Sequence, residues 1–159
     1  MGQSVYLGLC LLGCLLFKPL VEGAEPTSCS QGWLQYQGRC YGYLSNLRNW
    51  AEAEIACQSY GWRGHLASIV NDEEAAEVAS YIQTNHQNTA NVWIGLHDPQ
   101  NNREWKWTDG SISSYESWNA GEPHNLKNDC VELGAASGYL LWNDENCQSK
   151  RAFLCMYRL

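Results

Sequence analysis

Val92-Trp93-Ile94-Gly95-Leu96 is a short apolar run closed by His97-Asp98-Pro99, and it reads as a strand. From it onward, β-rich runs alternate with turn residues: Glu104 to Trp107, Cys130 to Leu133, Tyr139 to Trp142, and Ala152 to Tyr157. Between the second and third of these, Asp109 to Asp129 is polar and without periodicity, and a loop of that length in a compact domain is usually functional or disordered. Upstream the period changes. Asn49 stands three residues before Glu52, a capping-box pattern, and Trp50, Ala53, Ala56, Cys57 and Tyr60 recur at helical spacing until Gly61. Asn71 and Glu74 repeat the device ahead of Ala75, Val78, Ala79 and Ile82. Earlier still, Gln37-Gly38-Arg39 forms the turn of a hairpin between Trp33–Tyr36 and Cys40–Tyr43. The fold class expected is α+β: two helices packed on mixed antiparallel sheets, with a long irregular loop at one end.

The chain has 159 residues, enough for one ordinary domain. Its first part, Val5 to Phe17, is an apolar run too short to span a bilayer, followed by Lys18-Pro19 and the small-residue context Val21-Glu22-Gly23. Residues 1–23 are therefore expected to be a cleaved signal peptide, residues 24–159 the mature domain, and the protein to be secreted into the extracellular space. No Lys or Arg precedes the run, so the amino terminus must supply the positive end. Eight cysteines less Cys10 and Cys14 leave six: Cys29, Cys40, Cys57, Cys130, Cys147 and Cys155. An even number in a secreted chain implies three disulfides, whose pairing the spacing leaves open. There is no C-x-x-C pair to suggest structural zinc.

The net charge is −7, and the leader holds one Lys and one Glu, so cleavage leaves it unchanged. An acidic domain does not seek nucleic acid without a local basic patch, and the one cluster, Lys150-Arg151 with Arg158, reads as solvated surface. The mature part has no Asn-x-Ser/Thr acceptor, no nucleophile elbow, no P-loop and no HExxH. No enzymatic activity is expected.

Within the long loop, Trp118-Asn119-Ala120-Gly121-Glu122-Pro123-His124-Asn125 gathers carboxylate and amide oxygens beside a proline turn. Trp142-Asn143-Asp144 adds more, and the pair Cys130 and Cys147 lies around it. Calcium takes about 6–8 oxygen ligands of these kinds. An ordinary polar surface loop has much the same composition.

In order and spacing, Cys40-Tyr41, His65-Leu66-Ala67-Ser68-Ile69, Val92 to Leu96, Trp105-Lys106-Trp107-Thr108-Asp109-Gly110, Cys130-Val131-Glu132-Leu133, Leu141-Trp142-Asn143-Asp144, Cys147 and Phe153-Leu154-Cys155 resemble the C-type lectin domain. The resemblance runs from Cys29 to Arg158. Within that superfamily, Cys40-Tyr41-Gly42-Tyr43, Leu47-Arg48-Asn49-Trp50, Cys57-Gln58-Ser59-Tyr60-Gly61, Trp93 to Gln100 and Tyr157-Arg158 are most similar to the regenerating-protein (Reg) group, especially its fourth type. The resemblance implies the pairing Cys29–Cys40, Cys57–Cys155 and Cys130–Cys147.

It also implies a site. In relatives that bind mannose-type sugars, a Glu-Pro-Asn loop, a Glu two before the third-last cysteine and a Trp-Asn-Asp run ligate calcium and hydrogen-bond vicinal sugar hydroxyls. Carried over, the metal set is Glu122, Asn128, Asn143 and Asp144, with Asp144 expected as an exposed ligand; the carbohydrate set adds His124 and Asn125. Two positions depart from the pattern: His124 stands where Asn is expected and Asn128 where Glu is expected. An imidazole suits a hard cation poorly, and losing a carboxylate weakens a calcium site. The loop between Glu122 and Cys130 is also shorter than in typical sugar binders. His65 and His97 read as structural histidines.

The leading expectation is a lectin whose recognition of mannose-type glycans is calcium-assisted, calcium being the only cofactor implied. The partners would be glycans on glycoproteins or microbial surfaces, with no nucleic acid and no membrane insertion. One alternative is calcium-independent, Reg-like binding of glycans or microbial wall polysaccharide. Another is a secreted protein-interaction or mineral-associated module, as in related eggshell and venom proteins.

Overall fold

The computed structural model of the protein describes residues 27–87, 90–124, 127 and 129–159; the expected leader over 1–23, Asn125 and Asn128 lie outside the described residues. Strands β1 (Leu34–Tyr36) and β2 (Arg39–Arg48) form the amino-terminal hairpin, with Tyr36 opposite Arg39. Its turn is therefore Gln37-Gly38 alone. Both residues have positive φ, 46° and 74°, which matches the twist of a two-residue hairpin and which Gly38 adopts without Cβ strain.

Helix α1 (Trp50–Cys57) starts as its sequence requires. The Glu52 N–H donates to Asn49 Oδ1 at 2.9 Å and the Asn49 N–H donates back to Glu52 Oε2 at 3.1 Å. It stops earlier than expected, because Ser59 and Tyr60 turn their N–H groups to Ala56 and Cys57 in tighter bonds; Gly61 follows with φ 55° under the Tyr157 ring. Strand β3 (Trp62–Leu66) comes next, then α2 (Asp72–Asn85). Only half of the second capping box forms. The Glu74 N–H donates to Asn71 Oδ1, but the Glu74 carboxylate is buried, accepting from the Val70 N–H at 2.7 Å, from Arg39 Nη1 at 3.0 Å and from the Tyr41 hydroxyl. A charge-assisted cluster fed from β2 outcompetes a local cap.

The remaining strands are β4 (Val92–His97), β5 (Lys106–Trp107), β6 (Cys130–Leu133), β7 (Trp142–Glu145) and β8 (Arg151–Arg158). They join one sheet in the order β1-β2-β8-β4-β6-β7, with β3 added on β8 and β5 on β4; only β4 and β8 run parallel. Two strand expectations shift. Glu104 to Trp107 shortens to β5, and Tyr139 to Leu141 form a turn, so the last antiparallel pairing begins at Trp142. Gly138 and Tyr139 both have φ 66° there, and Gly134 O accepts from the Ser137 and Tyr139 N–H groups, so the backbone groups a ladder would use are already engaged.

The core lies in two clusters on the sheet. One gathers Ala75, Val78, Ala79 and Ile82 of α2 with Tyr41, Ile94, Val131, Trp142 and Leu154. The other joins Trp50 and Ala53 of α1 to Leu66, Trp93 and Phe153. Each large apolar side chain so buried contributes about 1.5–3 kcal/mol. Disulfides Cys29–Cys40, Cys57–Cys155 and Cys130–Cys147 tie the first hairpin, α1 to β8, and β6 to the segment after β7. Arg151, expected in the solvated cluster, instead pairs with Glu132 at 2.7 Å and Glu145 at 2.8 Å across the sheet. His65 and His97 are structural: His65 Nδ1 lies 2.6 Å from Glu54, and His97 stacks on Trp50 at 4.6 Å. No helix among the described residues is long and apolar enough to cross a membrane.

Candidate functional site

Strand β7 carries Trp142, Asn143 and Asp144 in extended backbone, so Asn143 and Asp144 point to opposite faces of the ribbon. The long loop reaches β7 by pairing with it as a short parallel bridge at Trp118. The Trp142 N–H donates to Ser117 O at 2.8 Å, and the Asn119 N–H donates to Trp142 O at 2.9 Å. That pairing sets the distance from which the Glu122 turn starts. The Glu122 N–H then donates to Asn119 O at 3.0 Å, the Glu122-Pro123 peptide is cis, and Pro123 O accepts from Arg103 Nη1 at 3.0 Å.

The result brings Glu122, His124 and Asp144 together, with their donor atoms within 4.8 Å of one another. His124 Nδ1 lies 2.6 Å from Glu122 Oε2 and 2.8 Å from Asp144 Oδ1. The His124 N–H also donates to Asp144 Oδ1 at 3.3 Å, and the Asp144 N–H reaches Glu122 Oε2 at 3.4 Å. The ring is exposed while the Asp144 side chain is fully buried. Asp144 is therefore not the exposed ligand expected: pairing of Val131 with Asp144 in β6·β7 puts its side chain under the loop. Asn143 lies beside the cluster, its Oδ1 accepting from Asn119 Nδ2 at 3.2 Å. Asn125 and Asn128, the other two candidates, lie outside the described residues.

Electrostatics follow from this crowding. Burial raises the Glu122 pKa, and the neighbouring Asp144 raises it further. The hydrogen bond to Glu122, with the charge of Asp144, raises the His124 pKa above the ordinary histidine value of 6.5. Asp129 is raised by burial and by Asp98 and Asp144. The His124 ion pair thus contributes fully below about pH 6.5 and is lost as pH rises through the raised value. In an NMR titration the His124 ring should titrate above an ordinary histidine, and Glu122→Gln should bring its midpoint down. An unmoved midpoint would show that the pair does not persist in solution.

Calcium does not fit the described residues in this arrangement. Two carboxylates and one amide oxygen fall short of about 6–8 oxygen ligands, and a nitrogen stands between the carboxylates where the ion would lie. What the cluster offers instead is a set of oxygen acceptors with imidazole and amide donors, the combination a vicinal diol uses, since each hydroxyl both donates and accepts. Asn119 and Arg103 position the loop from outside the cluster. Asn119 lies in the quoted stretch, but its register against β7 is a long-range feature, and nothing local marks Arg103.

A family model described as the lectin C-type domain matches residues 46–157. C-type lectin BfL-2 of Bungarus fasciatus is 45% identical over 157 residues, covering 98% of this chain and 98% of its own. Regenerating islet-derived protein 4 of Rattus norvegicus is 45% identical over 131 residues, covering 82% of each. Among solved structures, human lithostathine superposes with a TM-score of 0.78 at 37% identity, over 82% of this chain and 100% of its own. A calcium-independent type II antifreeze protein gives 0.70 at 29% identity, over 82% and 95%.

Proposed function

Because the chain belongs to the C-type lectin domain family, we propose that it is a secreted lectin that takes mannose-type glycans at Glu122, His124, Asn143 and Asp144 without requiring calcium. The observation that carries this is the position of His124 Nδ1 between the two carboxylates. A protonated ring there offsets one of the two carboxylate charges and holds the pair in one geometry. A sugar hydroxyl can then donate to Glu122 while its neighbour accepts from the free N–H of the exposed His124 ring, with buried Asp144 fixing that ring from beneath. The Glu-first order of the loop supports mannose-type over galactose-type sugars, and the partners would be glycans on glycoproteins or microbial surfaces.

The calcium-assisted reading has one observation in its favour: Glu122 and Asp144 still converge. It requires His124 to swing out and further oxygens to enter. A calcium-independent structural neighbour supports the first reading by analogy only.

The test is glycan-array binding of the secreted protein with calcium, with chelator, and as Asp144→Asn. Mannose-type glycans should bind equally in calcium and in chelator. Asp144→Asn should weaken them by more than about tenfold, because a hydrogen bond to a charged acceptor is lost. Loss in chelator alone would reinstate calcium; binding to no glycan under any condition would sink the lectin reading.

A further inference from the structure

Beneath the long loop, separate from Glu122 and Asp144, lies a cleft of about 380 Å3 walled by Trp105, Trp107, Tyr115, Trp118 and Trp142. That volume falls in the range of small-ligand pockets, about 300–1,000 Å3. Trp142 stands edge-on to Trp107, Tyr115 and Trp118, each at 5.6 Å between ring centroids, so the rings form a box. The Trp142 side chain is 1% exposed, yet its Nε1–H has no hydrogen-bond acceptor among the described residues.

The contrast with its neighbours is informative. Trp50 Nε1 donates to Ile94 O at 2.8 Å and Trp93 Nε1 to Arg48 O at 3.1 Å, as buried indoles normally do. The serine hydroxyls of the cleft are already committed: Ser111 Oγ donates to Asp109 at 2.8 Å, and Ser113 Oγ donates to Val70 O at 3.1 Å. Lys106 and Glu116, both exposed and of opposite sign, leave no net charge at the rim to draw an ion. The missing group is therefore a single neutral acceptor within an aromatic surround.

Among sugar substituents, the acetamido group has that chemistry: a carbonyl oxygen to accept one N–H, and a methyl to lie among rings. We propose that this cleft binds the acetamido arm of an N-acetylhexosamine, its carbonyl accepting from Trp142 Nε1–H. The proposal rests on the glycan-binding reading for the class of ligand, but not on the Glu122–Asp144 cluster.

The test uses the secreted protein labelled with 15N, whose eight tryptophans give eight indole N–H resonances, with Trp142 assigned from Trp142→Phe. N-Acetylglucosamine should move the Trp142 resonance downfield and glucose should leave it in place. Asp144→Asn should show the same shift, which separates this cleft from the other site. Trp142→Phe, which removes the donor and keeps a ring, should bind N-acetylglucosamine about five- to tenfold more weakly. An unmoved resonance would mean that water or a neighbouring ring face serves the N–H, and would overturn the proposal. An equal shift with glucose would overturn the acetamido assignment. Both readings come from the wild-type protein, so they stand even if Trp142→Phe folds poorly.

Discussion

Trp142→Ala should lower the stability of the mature domain by about 3–5 kcal/mol, the cost of truncating a large buried aromatic. Three edge-on ring contacts disappear with the indole. The consequence extends beyond the core. The ring also packs against Trp118, so the long loop loses that contact while its backbone bonds to position 142 remain available. Urea unfolding of both proteins measures this through the midpoint, provided that the slope is unchanged. A loss under about 1 kcal/mol would show that the loop and sheet collapse around the gap, and that the box is not a rigid element.

Replacing both Cys57 and Cys155 by Ser should remove about 4–5 kcal/mol, because this bridge closes a sequence separation of 98 residues. The separations of 17 and 11 closed by Cys130–Cys147 and Cys29–Cys40 should contribute less each, on the chain-entropy account. For a domain whose total stability is about 5–15 kcal/mol, the first loss is between about a third and nearly all of the margin. The bridge is fully buried between α1 and β8, so the serines would also leave hydroxyls in an apolar cluster. Circular dichroism should show the fold intact in chelator and lost on reduction. Unfolding by chelator alone would make a metal structural and reverse this ranking.

Much of the fold was legible because its signals are local. Asn49 and Glu52 are three residues apart and serve each other within one turn of helix, so no distant contact is needed to read α1. The strand at Val92 to Leu96 and the turn at Gly38 are local in the same sense. The pattern failed where a distant group claimed a residue. Glu74 has the same spacing to Asn71, but Arg39 and Tyr41 on β2 take its carboxylate, and no window around Glu74 contains them. Likewise, Tyr139 to Leu141 look like strand, and turn bonds through Gly134 and Ser137 move the pairing on to Trp142.

By itself the sequence determined the α+β class and the lectin-type order of motifs, because residue identity and spacing carry that information, and through the resemblance it named Glu122, His124, Asn125, Asn128, Asn143 and Asp144 as one candidate set. Only the tertiary structure decided what the set is. Register between β6 and β7 buries Asp144, and the Trp118 bridge brings the loop to within hydrogen-bonding reach of it. His124, by identity only a poor calcium ligand, becomes the group lying between two carboxylates. The physical reason is that a charge acquires its role from what stands within about 4 Å of it, and across a loop of this length chain spacing does not encode that distance.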